Sequence, residues 1–321
     1  MGSNDDLYGP SQAPPDERPL RAAVLFLVFN RPETTQQVFD AIRRARPSRL
    51  YVAGDGPRED VRSDRDQIAL VRSIATNVDW PCEVSTLFRE TNLGCKYAVS
   101  GAVSWGFESE DRLIILEDDC LPSSSFFGFC DEMLLRYQAD SRVHHIGGTN
   151  PLNLSDDRVN SYGFSRYNRI WGWATWKNSW EAFNVEIPLW PEISKSRTLG
   201  QLLGRKEGKK YTKIFEATYG GHIDTWDYQW FLTRLLLGQA IFPHVNLVTN
   251  IGFGPGATHT KKVGSALDNA LRGEMIFPLQ HPNSLEIDTV ADQRWAKMSS
   301  EKSWPERFVR RLGRELKRLG G

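Results

Sequence analysis

An α/β fold with a mixed, mostly parallel central sheet flanked by helices is predicted by three observations. Short apolar runs recur at residues 21–29, 50–53, 82–88 and 113–116, each closing on a polar or glycine-containing turn. Amphipathic segments of helical period separate them, so the first 120 or so residues read β-α-β-α-β-α-β. Polar residues stand just after the runs, at the carboxyl edge where such sheets open to ligands.

The run RAAVLFLVF, residues 21–29, is the first strand, with no polar alternation and therefore buried on both faces. Asn30, Arg31 and Pro32 break it. Thr34 or Thr35 can cap a helix to about Arg46, with Val38, Phe39 and Ile42 on one face. The second strand, 50–53, ends in the turn Gly54-Asp55-Gly56-Pro57. A helix over about 64–76, a third strand over 82–88 and a third helix over 97–107 follow. The fourth strand, 113–116, runs into Glu117, Asp118 and Asp119. A helix is predicted at 123–137, another at 227–237 and a strand at 240–248; residues 140–195 are less regular and tryptophan-rich. Residues 1–20 hold several prolines and few apolar groups and read as a disordered leader. Residues 21–300 read as one domain in two halves, the first to about 122 and the second over about 123–265. Residues 301–321 read as a basic amphipathic helix, suited either to an anionic membrane surface or to docking on its own domain.

With 40 basic and 40 acidic residues among 321, the formal net charge is zero, which argues against nucleic acid as a partner. No apolar stretch approaches the roughly 20 residues a bilayer span requires, and no secretory signal is legible, so a cytoplasmic protein is expected, with peripheral contact at the inner membrane face through the tail. The four cysteines form no Cys-x-x-Cys pair and read as reduced thiols.

Three carboxylates at a strand end carry the chemistry. Hard oxygen ligands in that position suit Mn²⁺ or Mg²⁺, and an ion so placed commonly holds a diphosphate. The plainer alternative is an acidic turn with no metal.

The set of landmarks resembles nucleotide-sugar glycosyltransferases of the GT-A fold, a Rossmann-like architecture, with bacterial family 2-like enzymes and the N-acetylglucosaminyltransferase I group as the nearest echoes. The residues carrying the resemblance are Phe29-Asn30-Arg31-Pro32 after the first strand, Asp55 after the second, Glu117-Asp118-Asp119 after the fourth, and Trp226-Asp227 opening a later helix. The segment WGWATWKNSW also looks like a bacterial subgroup of these enzymes. The resemblance implies an inverting, metal-dependent transfer of a hexosyl or N-acetylhexosaminyl group. The donor would be a UDP-sugar, and the acceptor a hydroxyl of a glycan or lipid-linked molecule in surface polysaccharide synthesis.

The resemblance further implies residue roles. Asp119 would contact the metal, Asp118 the ribose or a metal-bound water, and Glu117 the nucleotide. Arg31 and Asp55 would flank the base and Asn30 would belong to the same nucleotide site, although Asp55 also suits a plain turn. Asn92 and Lys96 would meet the nucleotide after the third strand, with Arg89 competing for the diphosphate and a helix cap as the alternative for Asn92. Asp227 would be the base that takes the acceptor proton, with Asp224 as rival on the same helical face. His259, in a glycine-rich loop with Lys261 and Lys262, would be a further metal ligand or simply an exposed loop histidine. Trp171, Trp173, Trp226 and Asp224 would form the acceptor platform. Competing functions are a sugar nucleotidyltransferase and a non-catalytic nucleotide- or sugar-binding protein on the same fold. The first would favour a glycine-rich phosphate loop after the first strand, where Asn30-Arg31-Pro32-Glu33 stands instead.

Overall fold

The structure, a computed structural model, describes residues 20–152, 158–252 and 270–302. The first strand, β1 (Ala23–Val28), is buried along its whole length. Helix α1 (Pro32–Ala45) follows, then β2 (Arg49–Gly54), α2 (Asp64–Ala75), β3 (Glu83–Phe88), α3 (Gly94–Ser109) and β4 (Arg112–Glu117). Beyond these come β5 (Cys120–Pro122), α4 (Ser124–Arg136), β6 (Val143–Gly147), β7 (Tyr162–Ser165) and β8 (Trp173–Trp176). The helices α5 (Lys177–Trp180), α6 (Trp190–Ile193), α7 (Thr198–Leu203), α8 (Arg205–Tyr219) and α9 (Asp227–Leu237) lead to β9 (Gln239–Pro243), β10 (Val248–Asn250) and α10 (Thr289–Lys302).

Eight strands form one sheet in the order β3-β2-β1-β4-β8-β6-β9-β7. The β3-β2-β1-β4 half is parallel throughout; β8 and β7 run against the other six strands. This is the mixed, mostly parallel α/β class the sequence predicts. Alternation within β1 sends Val24, Phe26 and Val28 into one apolar layer and Ala23, Leu25 and Leu27 into the other, which is why a continuous apolar run was needed there. A further apolar cluster joins α8 and α9 through Tyr211, Phe215 and Phe231.

The structure corrects several boundaries. Helix α1 starts at Pro32, not at a threonine cap; proline's fixed φ and missing N–H suit the first helical position. Thr35 Oγ1 instead donates back to Arg31 O at 2.6 Å. The predicted strand 240–248 is two: β9 ends at Pro243, and β10 pairs with β5 in a separate two-stranded sheet. The irregular stretch 140–195 supplies three sheet strands, and Trp173 and Trp176 lie on β8. Helix α9 begins at Asp227, so Asp224 precedes it and the two do not share a helical face. Among the described residues no helix is long and apolar enough to cross a membrane. The leader, His259 with its loop, and the basic segment beyond α10 lie outside the described residues.

Candidate functional site: a cavity at the carboxyl edge of the sheet

A cavity of about 890 Å³ opens where β1, β2 and β4 end, within the size range of small-molecule sites. One end is charged. Arg31, Asp55, Glu117, Asp118 and Asp119 line it there, and Asp224, Trp226 and Asp227 line it from the chain leading into α9. The other end is aromatic, with Tyr167, Trp171, Tyr211, Phe231 and Trp295 in the wall.

At the charged end, Arg31 holds the acidic triplet together. Its Nη1 donates to Asp118 Oδ1 at 3.3 Å and makes a close ion pair with Asp119 Oδ2. Asp118 Oδ2 also accepts from Phe29 N at 2.9 Å, which ties β4's end to β1's. Burial opposes the charge on Arg31, but Asp118 and Asp119 outweigh it and hold the guanidinium above its ordinary value. The carboxyls remain short of positive charge. Burial, then the Asp119 and Asp118 charges, push Glu117 well above the usual carboxylate range. Burial likewise raises Asp118, against the pull of Arg31. Asp227 adds to the pressure on Glu117, so the two ends of this acidic wall feel each other. The Cys95 thiol, which also lines the cavity, is driven up by burial and by Glu117, Asp227 and Asp224, and stays protonated.

This donor set fits a hard divalent cation. Among the described residues no group of three or more His, Cys, Asp or Glu side chains is arranged to hold a metal ion by itself. Mg²⁺-type sites need only one or two carboxylates and complete their shell with phosphate and water. Clustered buried carboxyls whose charge one arginine does not balance are the chemistry such an ion satisfies. The chain also comes close over Asp119. Ile251 N donates to Asp119 O at 2.7 Å, and a Cβ on Gly252 would fall 2.3 Å from Asp119 Oδ2, so only glycine fits there.

Asp55 is engaged differently from the expectation. Its carboxylate accepts from Gly56 N, Leu93 N, Gly94 N and the Asn92 amide, at 2.9–3.1 Å. Two of these are orphan N–H groups at the start of α3, so Asp55 and Asn92 fasten that helix to the end of β2. Gly94 sits at φ +77, where a side chain would be strained. Asp55 and Asn92 do line the cavity. Asn30 does not: its amide donates to the buried Asp64 at 2.8 Å. Arg58 grips the same carboxylate through Nε at 2.7 Å and Nη2 at 2.9 Å. Those bonds, Arg58's foremost, hold Asp64 down to about 2. Lys96 is likewise outside the cavity wall, paired with Glu186 at 3.1 Å.

On the far side, Asp227 is the first residue of α9, where the helix dipole favours its charge. Its Oδ1 accepts from Tyr228 N at 2.9 Å and from the Thr225 hydroxyl, which fixes the carboxylate's orientation. Trp226 is almost wholly buried and stacks on Trp173, centroids 5.4 Å apart. Trp173 does not reach the cavity; it is fully buried between Trp226, His145 and Trp230. Trp171 is the half-buried member of the proposed platform, and it and the almost wholly buried Trp226 both line the cavity. Sequence reasoning passed over Arg58, Arg169, Tyr167, Tyr228 and Trp295 in the wall. The one signal available was Arg169 itself, a charge isolated inside the aromatic run Tyr167-Asn-Arg-Ile-Trp171.

No protein-family model and no curated protein matches the chain. Among solved structures, it is similar to UDP-glucose pyrophosphorylase complexed with UDP-glucose, at 9% identity and TM-score 0.35 over 69% of this chain and 89% of that one. It is also similar to GalNAc-T7 with UDP, GalNAc and Mn²⁺, at 9% identity and TM-score 0.38 over 70% of this chain and 43% of that one. Likeness at that level fixes neither ligand nor activity for this chain.

Proposed function

We propose that the protein is a metal-dependent inverting glycosyltransferase that moves a sugar from a nucleotide diphosphate donor, a UDP-sugar by the sequence resemblance, to an acceptor hydroxyl. The observation that carries this reading is the juxtaposition within one cavity of a strand-edge carboxylate cluster and a separate, fixed carboxylate, Asp227, with an aromatic wall beyond.

Asp119 and Asp118 are the residues that would hold Mn²⁺ or Mg²⁺ together with the donor diphosphate. When bound, the ion supplies Lewis-acid neutralisation of the charge that develops on the leaving nucleoside diphosphate. Arg31, already bridging both carboxylates, is placed to meet a phosphate oxygen or to stack on a planar ring. Asp227 accepts the proton of the attacking hydroxyl as the new bond forms at the anomeric carbon. Thr225 and Tyr228 N hold the Asp227 carboxylate in place, so its orientation does not have to be found in each turnover. Asp224 lies beside it in the wall and is placed for acceptor contact. Asp55 and Asn92 act chiefly by fixing α3, whose start forms one side of the nucleotide end. Trp171, half-buried in the wall, offers an apolar face on which an acceptor sugar can lie, whereas Trp226 is too buried to offer one. A glycan or lipid-linked acceptor is the reading for that end, and peripheral membrane contact through residues 301–321 belongs to the same proposal.

Calorimetric titration of UDP, GDP and dTDP, each with Mn²⁺ and with EDTA, tests it. Metal-dependent binding of one nucleotide is the expected result and names the base. A folded protein that binds none of them under either condition refutes the donor site.

A further inference from the structure

Arg169 lies in the cavity wall and is 3% exposed. Its guanidinium is held between two aromatic faces, with Cζ 4.4 Å from the centre of the Phe242 ring and 4.8 Å from that of Trp295. Nη1 donates to Thr149 O at 3.2 Å. Nε and Nη2 are shielded from solvent and have no hydrogen-bond partner among the described residues. These two nitrogens are one edge of the fork. Their N–H bonds run side by side, the geometry that takes both oxygens of a carboxylate or two of a phosphate. The faces of the group and one corner are therefore satisfied, and the edge built for an oxyanion is not.

The chain's own carboxylates do not fill that edge. Asp292 is turned onto Ser165 Oγ at 2.5 Å and Arg166 N at 3.1 Å. Asp288 accepts from Ala291 N at 2.8 Å and from Arg158. Both act on Arg169 only through space, and burial prevails over them, pulling the guanidinium down to about 9. It still carries its charge at neutral pH. A buried cation without a bonded counter-charge is costly to keep, and Arg31, whose two carboxylates meet it directly, shows the contrast within the same cavity.

We propose that Arg169 is an oxyanion-binding residue, taking a carboxylate or phosphate group of the acceptor in a bidentate contact through Nε and Nη2. Assignment of the anion to the acceptor rests on the function proposed above; the oxyanion site itself rests on Arg169 and its surroundings. The aromatic rings on either side hold the fork in one plane, so a ligand that opens the shielded edge meets a pre-oriented pair of donors. An acceptor bearing a uronate or a phosphodiester would then be preferred over a neutral sugar.

The experiment is titration calorimetry of the full chain with methyl β-D-glucuronide, sn-glycerol 3-phosphate and neutral methyl β-D-glucoside, with UDP and Mn²⁺ titrated in parallel. At least one anion should bind about tenfold or more tightly than the neutral glucoside, the scale of a charge-assisted hydrogen bond. Whichever anion binds better identifies the source as carboxylate or phosphate. Arg169→Met should remove the preference, Arg169→Lys should weaken it, and UDP affinity should be unchanged in both. The proposal is overturned if neither anion exceeds the glucoside on the unaltered protein, a result that does not depend on either variant folding. It is equally overturned if folded Arg169→Met keeps the preference. Should UDP fail to bind while the Arg169-dependent preference holds, the donor reading falls and the oxyanion site stands.

Discussion

The two ends of the cavity are built by different means. Residues 20–122 deliver Arg31, Asp55 and the Glu117–Asp119 triplet from just beyond the ends of parallel strands. These groups largely satisfy one another: Asp55 is bound by backbone N–H groups of the α3 start, and Asp118 and Asp119 by Arg31. Residues 123–302 build the aromatic end from the segment 167–171 and α10 and bring Asp224 and Asp227 to the acidic wall from the approach to α9, with no shared strand edge to align them. Most of the buried polar atoms without a partner among the described residues fall in this second region, at Arg169, Trp173, Gln229 and Arg234. A parallel sheet edge orders polar side chains through the backbone itself. A wall of loops and helices orders them through aromatic packing, and of this second region's unpartnered groups only Arg169 lies in the cavity wall.

The comparison is tested most severely at Asp227, the one carboxylate of the second region to which chemistry is assigned. Asp227→Asn keeps an oxygen for Tyr228 N and the Thr225 hydroxyl, so the fold should survive. Turnover of a transfer assay should fall by about 10²–10⁴-fold, the contribution typical of a general base, while calorimetry shows unchanged nucleotide affinity. Full turnover in that variant would move the base elsewhere, with Asp224 the next to replace.

The packing side of the contrast predicts a loss of stability rather than of chemistry at Trp173. Trp173→Ala removes a fully buried ring that touches His145, Trp226, Trp230 and Trp180. Chemical denaturation should show about 3–5 kcal/mol of destabilisation. Trp171→Ala, at the half-buried residue in the cavity wall, should cost less stability and instead raise KM for the acceptor.

Acid should weaken the second region before the first. His145 is buried and locked as one neutral tautomer, its Nδ1 accepting from Trp230 Nε1 at 3.2 Å and its other nitrogen meeting Arg169 O at 3.1 Å. Burial, aided by Arg234, holds it down to about 3. Between that value and the ordinary histidine range near 6.5 the unfolded chain takes up a proton that the native chain refuses. Stability is therefore complete above about pH 6.5 and falls as pH drops, by roughly 2 kcal/mol at pH 5. His145→Gln should flatten this slope in a series of denaturation curves. Asp64, at the base of the first region, behaves oppositely in range. Held down to about 2 by Arg58 and Asn30, it stabilises above its unfolded value near 4 and is lost only as pH falls toward 2.

The smallest effect is expected at Asp55. Asp55→Ala leaves the α3 N–H groups of Leu93 and Gly94 unsatisfied and should cost about 1–2 kcal/mol, the worth of a strong helix cap. A much larger loss of UDP affinity than of stability would restore direct base contact as its main role.

By itself the sequence determined the class of fold and the charged end of the cavity. Burial on both faces demands an unbroken apolar strand, and a strand end is the one place where three consecutive carboxylates can follow such a run without being sealed in. Helix α9 and its leading Asp227 were legible for a similar local reason, a polar start followed by helical period. The rest was decided by tertiary structure. The strands β6, β7 and β8 are short, and their aromatic residues fit a sheet or a helix equally until neighbours select one, which is how Trp173 came to be core and Trp171 wall. Asn30 left the cavity for Asp64, and Asp55 became a helix fastener, because a carboxylate or amide takes the nearest unsatisfied donor, and which donor is nearest depends on how distant segments meet. The unpartnered edge of Arg169 has the same origin: its surroundings are set by Phe242 and Trp295, residues 73 and 126 positions further along the chain, and no local pattern encodes them.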